Sequence, residues 1–261
     1  MIRRVVDLGN SRLKLGRIDD SNALVDLVSL PVDRPDTWRD AIRATIAGSD
    51  VGTWAISTVN PPLESHIDQI IHEYKYSSIL WYRSAADAGP PNRLIEPGRA
   101  GADRALAVVA ARSILGDARP IVVVLCGTAI TIERIDRDGI WAGGAIAPGM
   151  RLVSCALNLG TAKLPFVEPA IDLDRDPPPP ALGLRTQDAI AAGVYWGTIG
   201  SINYLIDIQC EFEVDRPIVV ASGGDAAFFA GRSRGRIDRV IPNLTLIGLA
   251  KAAFDISIQL S

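Results

Sequence analysis

A chain of 261 residues with 27 basic and 30 acidic side chains and 48% hydrophobic residues has the material for one large or two modest globular domains at a formal net charge of −3. That composition excludes a disordered chain, and its mild acidity offers no field for a nucleic-acid backbone; Arg232, Arg234, Arg236 and Arg239 make one local basic cluster, read as a solvated loop. Cys126, Cys155 and Cys210 are too scattered for a disulfide framework or zinc-ligand spacing, which fits a reducing compartment.

The chain enters a strand at once with Ile2-Arg3-Arg4-Val5-Val6, without a charged-then-apolar leader. No apolar run is expected to be long enough to cross a bilayer, so a cytoplasmic location is expected, with neither a membrane nor a nucleic acid as partner. Val5 to Asp7 runs into Leu8-Gly9-Asn10-Ser11 and a second alternating run to Asp19, the pattern of a β-hairpin. A third strand over 23–30, a helix over 37–46, a strand over 51–58, a helix opened by Pro61-Pro62 and running to 74, and a strand over 78–82 follow. Three meandering strands and then helix-strand alternation is the order of a ribonuclease-H-like sheet. Residues 86–99, rich in Pro and Gly, read as a loop ending at Gly101-Ala102-Asp103-Arg104, where a helix begins and runs to 115.

The opening pattern then returns. Val123-Val124-Leu125-Cys126-Gly127-Thr128-Ala129 repeats the apolar run and Gly-polar turn, with a third strand over 140–146 and a helix over 150–159 after Pro148-Gly149. Pro177 to Pro180 reads as an extended surface connector, and helices over 186–210 and 244–258 flank a strand over 217–221 and the turn Ser222-Gly223-Gly224. The expected organisation is a duplicated α/β fold, with domains at 1–116 and 117–261.

Gly-polar hairpin turns present backbone N–H groups and a small hydroxyl or amide, a set suited to phosphate. In the first copy Asp7 ends a strand beside such a turn and is a candidate to hold hydrated Mg²⁺, with Lys14 as a nearby point charge. The alternative is a hairpin whose Asp and Asn only cap the turn. Gly101 to Arg104 lies at a loop-to-helix junction that favours an anion; Asp103 there could take a hydroxyl proton and Arg104 grip a carboxylate, although an Asp in a first turn also stabilises a helix with no further role. Thr186 could bond a small ligand or cap the helix after it. His66 and His72 have no nucleophile in register and are assigned no catalytic part.

Taken in order, Asp7-Leu8-Gly9-Asn10-Ser11 to Lys14, Gly101-Ala102-Asp103-Arg104, Gly127-Thr128-Ala129-Ile130-Thr131, Gly143-Gly144 to Pro148-Gly149, Leu164-Pro165, Gly183 to Thr186 and Ser222-Gly223-Gly224 resemble the type III pantothenate kinases. The resemblance spans nearly the whole chain. It implies two ribonuclease-H-like domains of the actin and sugar-kinase superfamily, a homodimer, and ATP-dependent phosphorylation of the primary hydroxyl of pantothenate, the first step of coenzyme A synthesis. By motif, Asp7, Leu8, Gly9, Asn10, Ser11, Arg12, Leu13, Lys14 and Thr128 would bind ATP. Gly101, Ala102, Asp103, Arg104 and Thr186 would bind pantothenate, with Asp103 as the base and Asp7 as the Mg²⁺ residue.

Two departures from the family pattern matter, and a third is milder. Leu125 stands where the family usually has an Asp that binds a monovalent cation, K⁺ or NH₄⁺, and losing a carboxylate at contact distance removes about 4 kcal/mol of attraction at an effective dielectric near 20. Leu94 replaces a usual Tyr in the substrate pocket, and Glu133 stands where Asp is frequent. These departures leave an active kinase independent of the usual cation site as the first expectation. A catalytically silent nucleotide- or pantothenate-binding regulator on the same fold is the alternative, and a kinase for another hydroxy acid rests on Leu94.

Overall fold

In the computed structural model, which describes residues 2–45, 51–74, 76–116, 119–172 and 177–256, β1 (Ile2–Leu8), β2 (Arg12–Ile18) and β3 (Leu24–Pro31) form an antiparallel meander. Its first turn is tight because the Gly9 N–H bonds back to the Arg12 carbonyl at 3.0 Å. After α1 (Trp38–Thr45), β4 (Gly52–Thr58) joins the other side of β1 in parallel, and α2 (Glu64–His72) leads to β5 (Tyr76–Tyr82). Parallel neighbours need such crossovers, and the sheet order is β3-β2-β1-β4-β5.

Covering on both faces explains why the neighbouring residues Val5 and Val6 of β1 are both fully buried. Val6 and Leu8 pack with Leu13, Leu15, Trp38, Ile42, Ile67 and Ile71. Val5 and Ala55 point to the opposite face and meet Ala102 and Leu106 of α4 (Ala102–Leu115) together with Leu246, Leu249 and Ala250 of α8 (Leu244–Phe254). Before α4, the expected loop over 86–99 contains α3 (Ala85–Ala88), closed by a capping box in which the Ser84 N–H and hydroxyl both donate to Asp87 Oδ2.

The same plan recurs in β6 (Ile121–Cys126), β7 (Ala129–Ile135), β8 (Trp141–Pro148), β9 (Ile218–Ser222) and the short β10 (Arg239–Val240), ordered β10-β9-β6-β7-β8. Again the first three are antiparallel and the last two join in parallel. α5 (Met150–Leu159) and α6 (Thr186–Glu211) follow β8, and α7 (Ala226–Arg232) lies between β9 and β10. One core joins Val122, Val124, Ile130, Ile132, Val219 and Ala221 of the strands to Val194, Ile199 and Ile202 of α6 and to Phe228 and Phe229 of α7. The Pro177 to Pro180 stretch is tied down: the Trp196 indole N–H donates to the Pro179 carbonyl at 3.1 Å.

Two expectations are corrected. The chain divides into one unit of Met1–Gly116 with Asn243–Ser261 and another of Asp117–Pro242, so a second domain over 117–261 is too long. The cause is the core of the first unit, which α8 completes; Gly248 lies so close to the Leu106 carbonyl that a side chain there would run into it. Residues 257 and 258 of the expected last helix lie outside the described residues. Second, α6 is long and apolar enough by composition to cross a bilayer, contrary to the expectation that no run is. In the structure its buried residues belong to the core of the second unit, a use that demands the same composition.

Candidate active site

The two-residue period of a strand puts Asp7 on the face of Val5, toward the α4 side of the first sheet. Its cross-strand neighbours are Lys14 on β2 and Ser57 on β4. The buried Ser57 hydroxyl donates to Asp7 Oδ1 at 2.7 Å. Burial pushes the Asp7 carboxyl up to about 6; the Ser57 hydrogen bond opposes this, the Asp103 charge adds to it and Lys14 counters it. Asp7 and Asp103, separated by most of the first unit in sequence, are therefore near enough for one carboxylate to resist ionisation of the other.

Asp103 sits in the first turn of α4, behind Gly101 at the N-cap, and no side chain caps this end. Its Oδ1 accepts the Arg104 backbone N–H at 2.9 Å, satisfying one of the donors a helix start leaves open. The stabilising role and the charge toward Asp7 thus coexist in one side chain. A side chain on Gly101 would run into the Asp103 carboxylate and crowd Val59, so glycine keeps that carboxylate in place.

Of the run from Asp7 to Lys14, the Leu8 and Leu13 side chains are fully buried in the core, which leaves only their backbone for a ligand. Arg12 is turned to β3, donating to the Ser29 hydroxyl at 2.7 Å and the Ser29 carbonyl at 3.0 Å. Asn10 and Ser11 are exposed at the tip. The turn is clamped from the two residues after β4 by contacts the sequence did not reveal: Val59 N–H to the Leu8 carbonyl at 3.1 Å and Asn60 Nδ2 to the Gly9 carbonyl at 3.3 Å. Ser57 was likewise missed; the signal that could have found it is its position in the strand expected to pair beside Asp7.

The second unit repeats the turn with different chemistry. Thr128 is exposed at the tip, and Gly149 packs so tightly on the Gly127 and Thr128 carbonyls that only glycine fits. Gly223, at φ +108°, faces the Cys126 carbonyl in the same way. Leu125 has Thr131 and Ser222 as ladder partners, as Asp7 has Lys14 and Ser57. Thr131 is buried and its hydroxyl has no hydrogen-bond partner among the described residues, a cost where a carboxylate in place of Leu125 would offer an acceptor. Asp225 was also missed: its N–H donates to the Cys126 carbonyl at 3.3 Å, burial raises its own carboxyl pKa, and burial followed by its charge pushes the Cys126 thiol up to about 12. Thr186 is the first residue of α6, exposed, with Arg185 at the N-cap and no side-chain cap bond, so capping does not account for it.

Two five-stranded mixed sheets in the same order, each carrying a Gly-polar turn after its first strand, define a duplicated ribonuclease-H-like fold. Solved structures agree: the chain is similar to Ta0583, an archaeal actin homologue (TM-score 0.53, 10% identity, 98% of this chain and 100% of that one), and to a ROK family glucokinase from Streptomyces griseus (TM-score 0.50, 12% identity, 96% and 98%). The family model for type III pantothenate kinase matches residues 5–208, and a type III pantothenate kinase from Desulfatibacillum aliphaticivorans is 30% identical over 253 residues, covering 94% of this chain and 95% of that one. The chain belongs to the type III pantothenate kinase family.

Proposed function

We propose that this protein transfers the γ-phosphoryl group of ATP to the primary hydroxyl of pantothenate, opening coenzyme A synthesis, with Asp103 as the base and Asp7 beside the phosphates. The observation that carries the assignment of residues is the gathering of Asp7, the Gly9 to Ser11 turn and the start of α4 on one side of one unit. Phosphoryl transfer asks mainly for positioning and charge neutralisation, which this set can supply. Asp103 accepts the hydroxyl proton as the oxygen attacks the γ-phosphorus, and ADP departs. Arg104 pairs with the pantothenate carboxylate, and the open N–H groups of α4 favour the same charge. Gly101 and Ala102 shape the approach. Thr128 adds a hydroxyl to ATP, and Thr186 adds one to pantothenate.

The donor set fits Mg²⁺ carried in with ATP. Among the described residues no group of three or more His, Cys, Asp or Glu could hold a metal, and Asp7 Oδ2 accepts no hydrogen bond. A single free carboxylate oxygen suits an ion that keeps most of its water and binds through substrate phosphates. When bound, the ion neutralises developing charge on the phosphates. Leu125 argues for an enzyme that needs no monovalent cation at the second turn.

Exposed apolar side chains support a homodimer: Leu152 and Leu159 on α5, Leu184 just before α6, and Trp196 and Tyr204 on α6. A location in the cytoplasm, with no nucleic-acid or membrane partner, completes the proposal, because ATP and the later steps of coenzyme A synthesis are found there.

The test is direct. Purified protein with Mg-ATP and pantothenate is expected to release ADP at the same rate with and without K⁺. No turnover in either condition would refute the assignment.

A further inference from the structure

The end of β4 and the two residues after it hold the phosphate turn at three points. Ser57 Oγ donates to Asp7 Oδ1 at 2.7 Å, the Val59 N–H donates to the Leu8 carbonyl at 3.1 Å, and Asn60 Nδ2 donates to the Gly9 carbonyl at 3.3 Å. The Thr58 hydroxyl accepts the Asn60 N–H at 3.0 Å, which fixes Asn60 for its part. Val59 also stands against Gly101, at the start of the helix that bears Asp103.

Burial gives these contacts their value. Ser57 is fully buried, and a hydroxyl there without an acceptor would be costly, so its bond to Asp7 is strongly favoured over alternatives. With Oδ1 held, the Asp7 carboxylate loses its freedom to turn, and Oδ2 is the oxygen left for a hydrated cation or phosphate-bound water. We propose that Ser57 and Asn60 are positioning residues for phosphoryl transfer, Ser57 by orienting the Asp7 carboxylate and Asn60 by holding the Gly9 turn. The proposal rests on the reading of Asp7 as the residue beside the Mg²⁺-bound phosphates.

The test uses the full chain with Ser57→Ala, Ser57→Thr and Asn60→Ala. Turnover is followed by ADP release, folding by circular dichroism, and ADP affinity by calorimetry with and without Mg²⁺. Loss of orientation by Ser57→Ala should lower kcat at least about tenfold with the KM for pantothenate within about twofold, and should shrink the Mg²⁺-dependent gain in ADP affinity at least about fivefold. Ser57→Thr should recover both, since its hydroxyl can take the same place. Asn60→Ala should raise the KM for ATP by about fivefold or more and leave that for pantothenate unchanged.

A Ser57→Ala protein with kcat and Mg²⁺-dependent ADP affinity within about twofold of the parent overturns the proposal, as does a folded Ser57→Thr protein that is equally impaired. If the added methyl prevents folding, Ser57→Ala and Asn60→Ala decide. Should the parent bind ADP in a Mg²⁺-dependent way yet fail to phosphorylate pantothenate, the function falls while the calorimetric comparison still judges Ser57. A parent with no Mg²⁺-dependent ADP binding overturns both.

Discussion

Replacing Asp7 by Asn should make the protein more stable and inactive at once. In the folded state burial, reinforced by Asp103, lifts the Asp7 carboxyl from 3.8 to about 6 against the pull of Ser57 and Lys14. A group whose folded pKa lies above its unfolded one is favoured in its protonated form. Its stabilising contribution is therefore complete below about pH 3.8 and is lost as pH rises through about 6. That difference corresponds to about 3 kcal/mol, and partial access of the carboxylate to solvent reduces it to about 1–3 kcal/mol. Asn removes the charge, and its amide oxygen can still accept from Ser57. Urea or thermal denaturation at pH 7.5 should show Asp7→Asn above the parent by that amount, about 2–4 °C in Tm for each kcal/mol, with the gap closing as pH falls toward 4. ADP release should fall to background. A variant no more stable than the parent at pH 7.5, or a gap that stays constant down to pH 4, would refute the reasoning.

Asp103→Asn should lower kcat by about 10²–10⁴-fold with little change in Tm, because Asn can still accept the Arg104 N–H; kinetics beside calorimetry will separate the two effects. Gly101→Ala should cut activity while costing little stability, since its backbone at φ −60°, ψ 141° suits alanine and the clash falls on the Asp103 carboxylate. Leu125→Asp should give activity that responds to K⁺, with Ser222 opposite it in the ladder and the Thr131 hydroxyl as a donor; a titration with KCl against choline chloride reads this out. Gly223→Ala should destabilise the second unit by roughly 3 kcal/mol or more, because a positive φ and a collision with the Cys126 carbonyl coincide there, as a denaturation curve would report.

The candidate site residues were legible as local patterns. Asp7 and its turn, Gly101 to Arg104, and the repeated Gly127-Thr128 turn are each contained in a few consecutive residues, and strand or helix geometry alone gives them direction. Contacts made across a sheet were not legible. Ser57 looks like any small residue in a strand until β4 pairs with β1 in register and brings it opposite Asp7. Asp225, just after the Ser222-Gly223-Gly224 turn, carried no signal until β9 paired with β6 and its N–H met the Cys126 carbonyl. Thr186 left capping and binding open until the N-cap proved to be Arg185.

The sequence by itself determined the duplicated α/β plan, the order of strands and crossover helices, and the position of both turns, since these follow from hydrophobic period and Gly-Pro punctuation close along the chain. Only the tertiary structure decided that α8 completes the first unit, that the buried residues of α6 belong to the core of the second, and that Ser57 donates a hydrogen bond to Asp7. Each of these depends on which distant segments share a buried face, and burial is a property of the packed chain that no local pattern encodes.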